Sequence, residues 1–201
     1  NNLRILMYKK IILLTIPIIV LGLIANWVIY KANTSYELPI IKEVGSFSLR
    51  SHNNKVFSEK NLNGKVTILD FIFTSCPGPC PIMTNYMKDL YKNYKQVQEV
   101  QFVSITVDPL VDKPEILNQY AITNGVTDNR WKFLTGDLKA IKNLKQNGFM
   151  LHAEKLPQGH AIKFILIDQD RNIRSYYDGT DKASIAVLKN DLNNLIKKVR
   201  S

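Results

Sequence analysis

The sequence predicts an α/β fold in three layers, extended by an N-terminal β-hairpin and preceded by one transmembrane helix. Three observations carry this. Stretches of strand and helix character alternate from Val66 to Ile167, a pattern that gives parallel strand pairing with helices covering the sheet. The chain then closes on a hairpin and an amphipathic helix, Lys182–Val199. Ahead of both, Ile11–Tyr30 runs for twenty residues without a charge.

That apolar run is long enough, at 1.5 Å per residue, to cross the hydrocarbon layer of about 30 Å. Pro17 and Gly22 are tolerated in membrane helices, and Trp27 and Tyr30 stand where an interfacial aromatic belt lies. Arg4, Lys9 and Lys10 precede the run and only Lys31 follows closely, so the positive-inside rule puts the N-terminus in the cytoplasm. A cleaved signal peptide is the competing reading. Its apolar core is normally shorter, about 7–15 residues, and a small-x-small cleavage site follows it; here Ala32 offers only a weak one. No Arg- and Ser-rich transit peptide is visible. The expectation is a bacterial plasma-membrane protein with one pass: residues 1–10 cytoplasmic, 11–30 the anchor, 31–46 a tether, and 47–201 a domain on the extracytoplasmic, periplasmic side, where thiols tend to be oxidised.

Within the domain, Phe47–Leu49 and Val56–Phe57 flank His52-Asn53-Asn54 as a hairpin, which leaves His52 as an exposed turn residue. Val66–Phe73 (VTILDFIF) is a continuous β-branched and aromatic run, as in a buried strand. TSCPGPCP follows it, and then Ile82–Tyr94, where Met83, Met87, Leu90, Tyr91 and Tyr94 recur at helical spacing. Val100–Val107 reads as a strand, and Pro114 opens a helix to Thr123 at the first-turn position proline prefers. Trp131–Leu134 is a short strand, and Asp137 caps a helix to Gln146. Ala161–Ile167 is a strand, and a turn at Gln169–Asn172 leads into Ile173–Tyr177. Strand, helix, strand, helix, strand, helix, then a hairpin and a last helix is a thioredoxin-like order.

The 201 residues carry a formal charge of +10, of which residues 1–36 supply +4. Charged residues make up 22% and no long run of one sign occurs, so the surplus reads as a lysine-rich surface, suited also to docking an acidic protein. No nucleic-acid motif is present.

Cys76 and Cys80 are the only cysteines, spaced C-x-x-x-C at a strand-to-helix junction. A structural disulfide here would close a loop of three residues and remove little entropy from the unfolded chain. Pro77, Pro79 and Pro81 each fix φ and each bias the residue before them away from the α region. The motif is therefore a stiff loop with a helix starting near Pro81, and Cys80 stands at a helix N-terminus, where the macrodipole favours thiolate. Two thiolates on such a loop either oxidise to a disulfide or grip a soft metal ion; spacing alone leaves both open. Of the histidines, His152 lies in an irregular stretch, and His160 immediately precedes a core strand.

CPGPCP after TILDFIFTS, then SITVDP, GHAIKFILID and IRSYYDG, in that order over residues 40–199, resemble the Sco/SenC family. The resemblance implies a thioredoxin-like copper-binding protein that serves assembly of the dinuclear copper centre of cytochrome c oxidase, with subunit II as recipient and other copper chaperones or thiol reductants as further partners. The family's two cysteines and one histidine match Cys76, Cys80 and His160. Asp108 matches an acidic position near the family's site and is given no ligand role. The chemistry agrees: thiolates select Cu(I), imidazole suits copper in either oxidation state, and a closed zinc site normally takes four protein ligands. Thioredoxin-like reductases place a proline just before this strand; here that position is Ile162.

Three functions compete. A copper metallochaperone would hold the metal through Cys76, Cys80 and His160. A thiol-disulfide oxidoreductase would reduce the recipient's cysteines through Cys76 and Cys80. A peroxidase, suggested by Thr74 ahead of Cys76, wants a wider spacing and an upstream proline, where Asp70 and Phe71 stand.

Overall fold

The structure is a computed structural model that describes residues 13, 15–29, 37–153, 156–157 and 161–200. It divides into two units, residues 1–38 and 39–201. In the first, residues 15–29 are helical with exposed apolar side chains. Among the described residues no helix is long and apolar enough to cross a membrane; Ile11, Ile12, Leu14 and Tyr30 of the expected span lie outside them.

Among the described residues the second unit has eight strands: β1 Lys42–Glu43, β2 Ser48–Ser51, β3 Val56–Ser58, β4 Val66–Ile72, β5 Val100–Thr106, β6 Trp131–Thr135, β7 Lys163–Ile167 and β8 Asn172–Asp178. The described helices are α1 Cys80–Asn93, α2 Pro114–Thr123, α3 Leu138–Asn143, continued by a π turn Leu144–Gly148, and, after the last strand, α4 Lys182–Arg200. The sheet order is β1-β8-β7-β4-β5-β6-β2-β3. β4, β5 and β6 run parallel, while β7 joins β4 and β8 joins β7 antiparallel. All seven residues of β4 are buried, as only a central strand covered on both faces can be.

The hairpin of β2 and β3 continues the sheet beyond β6. Its turn does not leave His52 as a bare surface residue. The His52 N–H donates to the Phe133 carbonyl at 2.8 Å, the Phe133 N–H donates to His52 Nδ1 at 3.1 Å, and the two rings meet edge to face. Burial, helped by the charge of Lys132, keeps this imidazole below its ordinary range. The stretch expected to be a tether contributes β1, paired through Lys42 and Glu43 to Ile173 and Asn172.

Aromatic packing sets the helices on the sheet. Trp131 stacks on Phe133 at 5.0 Å, Tyr91 of α1 meets Phe102 at 5.8 Å, and Tyr120 of α2 meets Phe133 at 5.6 Å. Tyr120 and Thr84 also share a hydrogen bond of 3.0 Å, tying α2 to α1. Asp137 caps α3 by accepting the Ala140 N–H at 2.9 Å. At the β7–β8 turn the Asp168 carboxylate accepts the N–H groups of Asp170 and Asn172 and pairs with Arg174 at 2.7 Å.

Candidate metal centre

β4 carries the chain to the C-terminal edge of the parallel strands, and residues 73–79 turn it into α1. The Cys76 N–H donates to the Phe73 carbonyl at 3.2 Å, which closes the first turn of the loop. The Pro79 carbonyl then receives the N–H groups of Ile82 and Met83, each at 3.1 Å, and starts the helix. Pro81 falls at the second helical residue, where a missing N–H costs no intrahelical bond. A Cβ at Gly78 would stand 3.9 Å from Cys76 Sγ, an ordinary van der Waals distance, so the loop doubles back beside that sulfur without crowding it.

Both cysteines are thiols, Cys76 half-buried and Cys80 1% exposed. They lie within hydrogen-bonding reach of each other. Burial pushes the Cys80 thiol far above the ordinary thiol range; a bond from the Phe73 N–H works against this, while the Cys76 sulfur and the Asp70 carboxyl add to it. The helix-start effect that favours thiolate at Cys80 is thus outweighed, because losing solvation costs a thiolate more than a partial helix charge returns.

Asp70, fully buried in β4, lies behind this pair. Neither carboxylate oxygen has a well-formed hydrogen bond. Its register partner on β5, Ser104, eases the charge a little, and the Ser104 hydroxyl accepts Trp131 Nε1–H at 3.0 Å. Burial raises the Asp70 carboxyl to about 7. Tyr120 is also pushed up, by burial first and then, against its bond to Thr84, by Asp70, Cys80 and Asp112.

Cys76 and Cys80 thus lie side by side where the loop enters α1. His160 lies outside the described residues. Asp108 sits in the turn after β5, its N–H donating to the Thr106 hydroxyl at 3.0 Å and its carbonyl accepting the Asp112 N–H at 2.9 Å. Among the described residues no group of three or more His, Cys, Asp or Glu side chains is placed to hold a metal. Two adjacent sulfurs on a stiff loop nevertheless suit a soft ion such as Cu(I).

Two residues near the cysteines were not singled out from sequence as parts of the site. Asp70 carried a signal, a lone carboxylate inside an otherwise strand-like run that it can only interrupt by being buried. Asp112, fully buried and bonded to both Thr74 and Thr106, carried none, since it stands in an ordinary polar loop.

Fold and site together define a thioredoxin-like dithiol protein with a proline-framed cysteine pair at a strand-to-helix junction. Residues 39–197 match the SCO1/SenC family, and the chain belongs to it, as the sequence motifs led one to expect. It is 33% identical over 150 residues to the SCO1 protein homolog of Bacillus subtilis, covering 71% of this chain and 77% of that one. BsSco, a member of the Sco family of cytochrome c oxidase assembly proteins in which a disulfide switch was identified, superposes with a TM-score of 0.71 at 30% identity, covering 81% of this chain and 98% of its own. The copper-bound ScoI of Bradyrhizobium japonicum superposes with a TM-score of 0.62 at 26% identity, covering 75% of this chain and all of its own.

Proposed function

We propose that this chain is a membrane-anchored copper metallochaperone that holds copper through Cys76, Cys80 and His160 and delivers it to subunit II of cytochrome c oxidase for its dinuclear copper centre. The observation that carries the reading is the pair of adjacent sulfurs on the proline-stiffened loop, in a family with copper-bound members. Cu(I) is the preferred state on thiolates, and imidazole extends the site to Cu(II). His160 stands two residues before Ile162, whose carbonyl accepts the Gly179 N–H at 3.1 Å. Gly179 in turn packs on Met83, one turn into the helix that Cys80 begins. Three protein ligands leave one side of the ion open to the recipient's own donors.

Copper titration of the full chain in detergent, under reducing conditions, tests this. One tightly held Cu(I) is expected. Cys76→Ser and Cys80→Ser should each abolish tight binding, and His160→Ala should weaken it sharply. Equal binding by wild type and His160→Ala would remove the three-ligand site.

A second reading uses the same sulfurs for thiol-disulfide exchange. The Cys76 thiolate attacks a disulfide of the recipient, forming a mixed disulfide and releasing one recipient thiolate. Cys80 then attacks the Cys76 sulfur, releasing the second. The chain ends oxidised, and the recipient gains two electrons and, with them, two protons. The exposure of Cys76 beside a buried Cys80 favours this division of labour. Redox cycling that survives His160→Ala while copper binding falls would show that the two roles separate.

Residues 11–30 supply the single pass, with residues 1–10 in the cytoplasm and the domain on the extracytoplasmic side of a bacterial plasma membrane. The motivation is the uncharged run and its basic N-terminal flank. Release of the intact chain from membranes by an alkaline wash would count against the anchor.

A further inference from the structure

The turn after β5 carries two apolar side chains where polar ones are the rule. Turn tips favour glycine, asparagine, aspartate and serine, which suit bent backbone. Here residues 109–112 read Pro-Leu-Val-Asp. Pro109 and Asp112 are buried, while Leu110 and Val111 between them are 74% and 51% exposed. Hydrogen bonds hold the turn in this shape. The Asp108 carbonyl accepts the Val111 N–H at 3.2 Å and the Asp112 N–H at 2.9 Å. The Val111 carbonyl accepts the Lys113 N–H at 2.8 Å, and the Lys113 ammonium donates to the Pro109 carbonyl at 2.9 Å. A leucine and a valine are thus fixed in water by a bonded turn.

The place of this turn in the fold matters. The Asp112 carboxylate accepts the Thr74 N–H and hydroxyl, two residues before Cys76, so Leu110 and Val111 flank the cysteine loop. From Phe71 to Met87 the chain carries no acidic or basic residue, in a protein of formal charge +10. Pro77, Pro81 and Ile82 are exposed within that stretch. Ile116 is exposed on the first turn of α2, the helix that Tyr120 ties to Thr84 of α1. Single apolar side chains on a surface mean little, but several gathered at one edge of a sheet mark a contact site.

The reach of a cysteine says what covers this edge. Across a disulfide the two Cα atoms stand only about 4.4–6.8 Å apart. When the Cys76 thiolate displaces one sulfur of a partner's disulfide, which leaves as thiolate, the partner's backbone must come down beside Cys76. Its neighbouring side chains then lie over the rim. Prolines, isoleucines, leucine and valine offer a charged flank no counter-ion, so such a flank loses solvation uncompensated, whereas an apolar flank gains by burial. The turn is already shaped for the contact, which keeps the ordering cost of docking low.

We propose that Leu110 and Val111, with Pro77, Pro81, Ile82 and Ile116, form the rim on which the recipient docks, and that this rim selects a disulfide-bearing segment flanked by apolar side chains. This rests on the thiol-exchange reading above.

The test uses the reduced full chain in detergent and two short synthetic peptides with the same internal disulfide, one flanked by leucine and phenylalanine, the other by serine. Wild type is expected to reduce the apolar-flanked peptide at least about tenfold faster, the factor that burial of one leucine side chain supplies. Leu110→Ser combined with Val111→Ser should bring the ratio of the two rates close to one. Val56→Ser, at an exposed valine on the edge strand β3, should keep the wild-type ratio. If wild type reduces both peptides equally, or the double variant keeps the preference, or Val56→Ser abolishes it as well, the docking rim is overturned while thiol exchange stands. If wild type reduces neither peptide, the exchange reading itself fails and takes the rim with it. Should the double variant not fold, Leu110→Ser alone is measured in the same way. Failure of both to fold would show that these side chains hold the turn rather than a partner, and would overturn the assignment.

Discussion

Asp112 and Thr74 are joined twice: one carboxylate oxygen accepts the Thr74 N–H at 3.1 Å and the other its hydroxyl at 2.5 Å. The oxygen that takes the N–H also takes the Thr106 hydroxyl at 2.5 Å. Asp112 is fully buried, so these bonds form away from water, where a hydrogen bond is electrostatically stronger than in solvent. The end of β5, the turn after it and the first residues of the cysteine loop are thereby held on a single carboxylate. Thr74 stands two residues before Cys76, which makes Asp112 the fixed point from which the loop leaves the sheet.

Removing either end of this clasp should loosen the loop. Thr74→Val keeps the N–H and the shape but loses the hydroxyl, and is expected to cost about 1–3 kcal/mol, the range for leaving a buried polar atom unpaired. Asp112→Asn exchanges one of the two acceptor oxygens for a donor, set either against the Thr74 hydroxyl or against the Thr74 N–H and the Thr106 hydroxyl, and should cost at least as much. Denaturant unfolding measures both, and alkylation of Cys76 in the folded state should accelerate in each variant. Wild-type midpoints together with wild-type alkylation rates would show that the clasp holds nothing.

What could be read from sequence follows from how local each cause is. Pro114 and the apolar spacing after it define α2 within its own ten residues, and β4 and β5 announce themselves as continuous β-branched runs. β1 could not be read, because Lys42 and Glu43 are polar and become a strand only by pairing with residues about 130 positions on. His52 looked like a turn residue because its partner, Phe133, lies 81 residues away. The cysteine pair was legible since three prolines and a helix start define it locally. Asp70 and Asp112 owe their importance to burial between distant elements, which no short window displays.

The burial of Asp70 makes a prediction about pH. Its carboxyl rises from 3.8 to about 7 on folding, so between these values the folded chain binds the proton that the unfolded chain has lost. Stability is greatest below about pH 4 and falls as pH rises towards 7, by an amount on the order of 4 kcal/mol for this group alone. Asp70→Asn carries no such charge. It should exceed wild type in stability near pH 8, and the advantage should vanish near pH 4. It should also relieve the push of Asp70 on the Cys80 thiol. Unfolding curves of both proteins across that range provide the check, and a difference independent of pH would mean that Asp70 does not titrate as its surroundings demand.

Gly179 sets the distance between the end of β8 and the start of α1. A Cβ there would come within 2.9 Å of both Cγ and Cε of Met83, and 3.1 Å of its sulfur. Met83 is fully buried three residues after Cys80, and Cγ is too close to the backbone to swing aside freely. Gly179→Ala should therefore overpack the first turn of α1, at a cost of about 1–3 kcal/mol. Met83→Ala alone leaves a cavity and should cost about 2–5 kcal/mol. Combined, the new methyl enters the space that the methionine vacated, so the double variant should be more stable than the two separate losses imply. Denaturant unfolding of all four proteins closes the cycle. Simple additivity would show that the two residues do not press on each other, and that the start of the cysteine-bearing helix is positioned by something else.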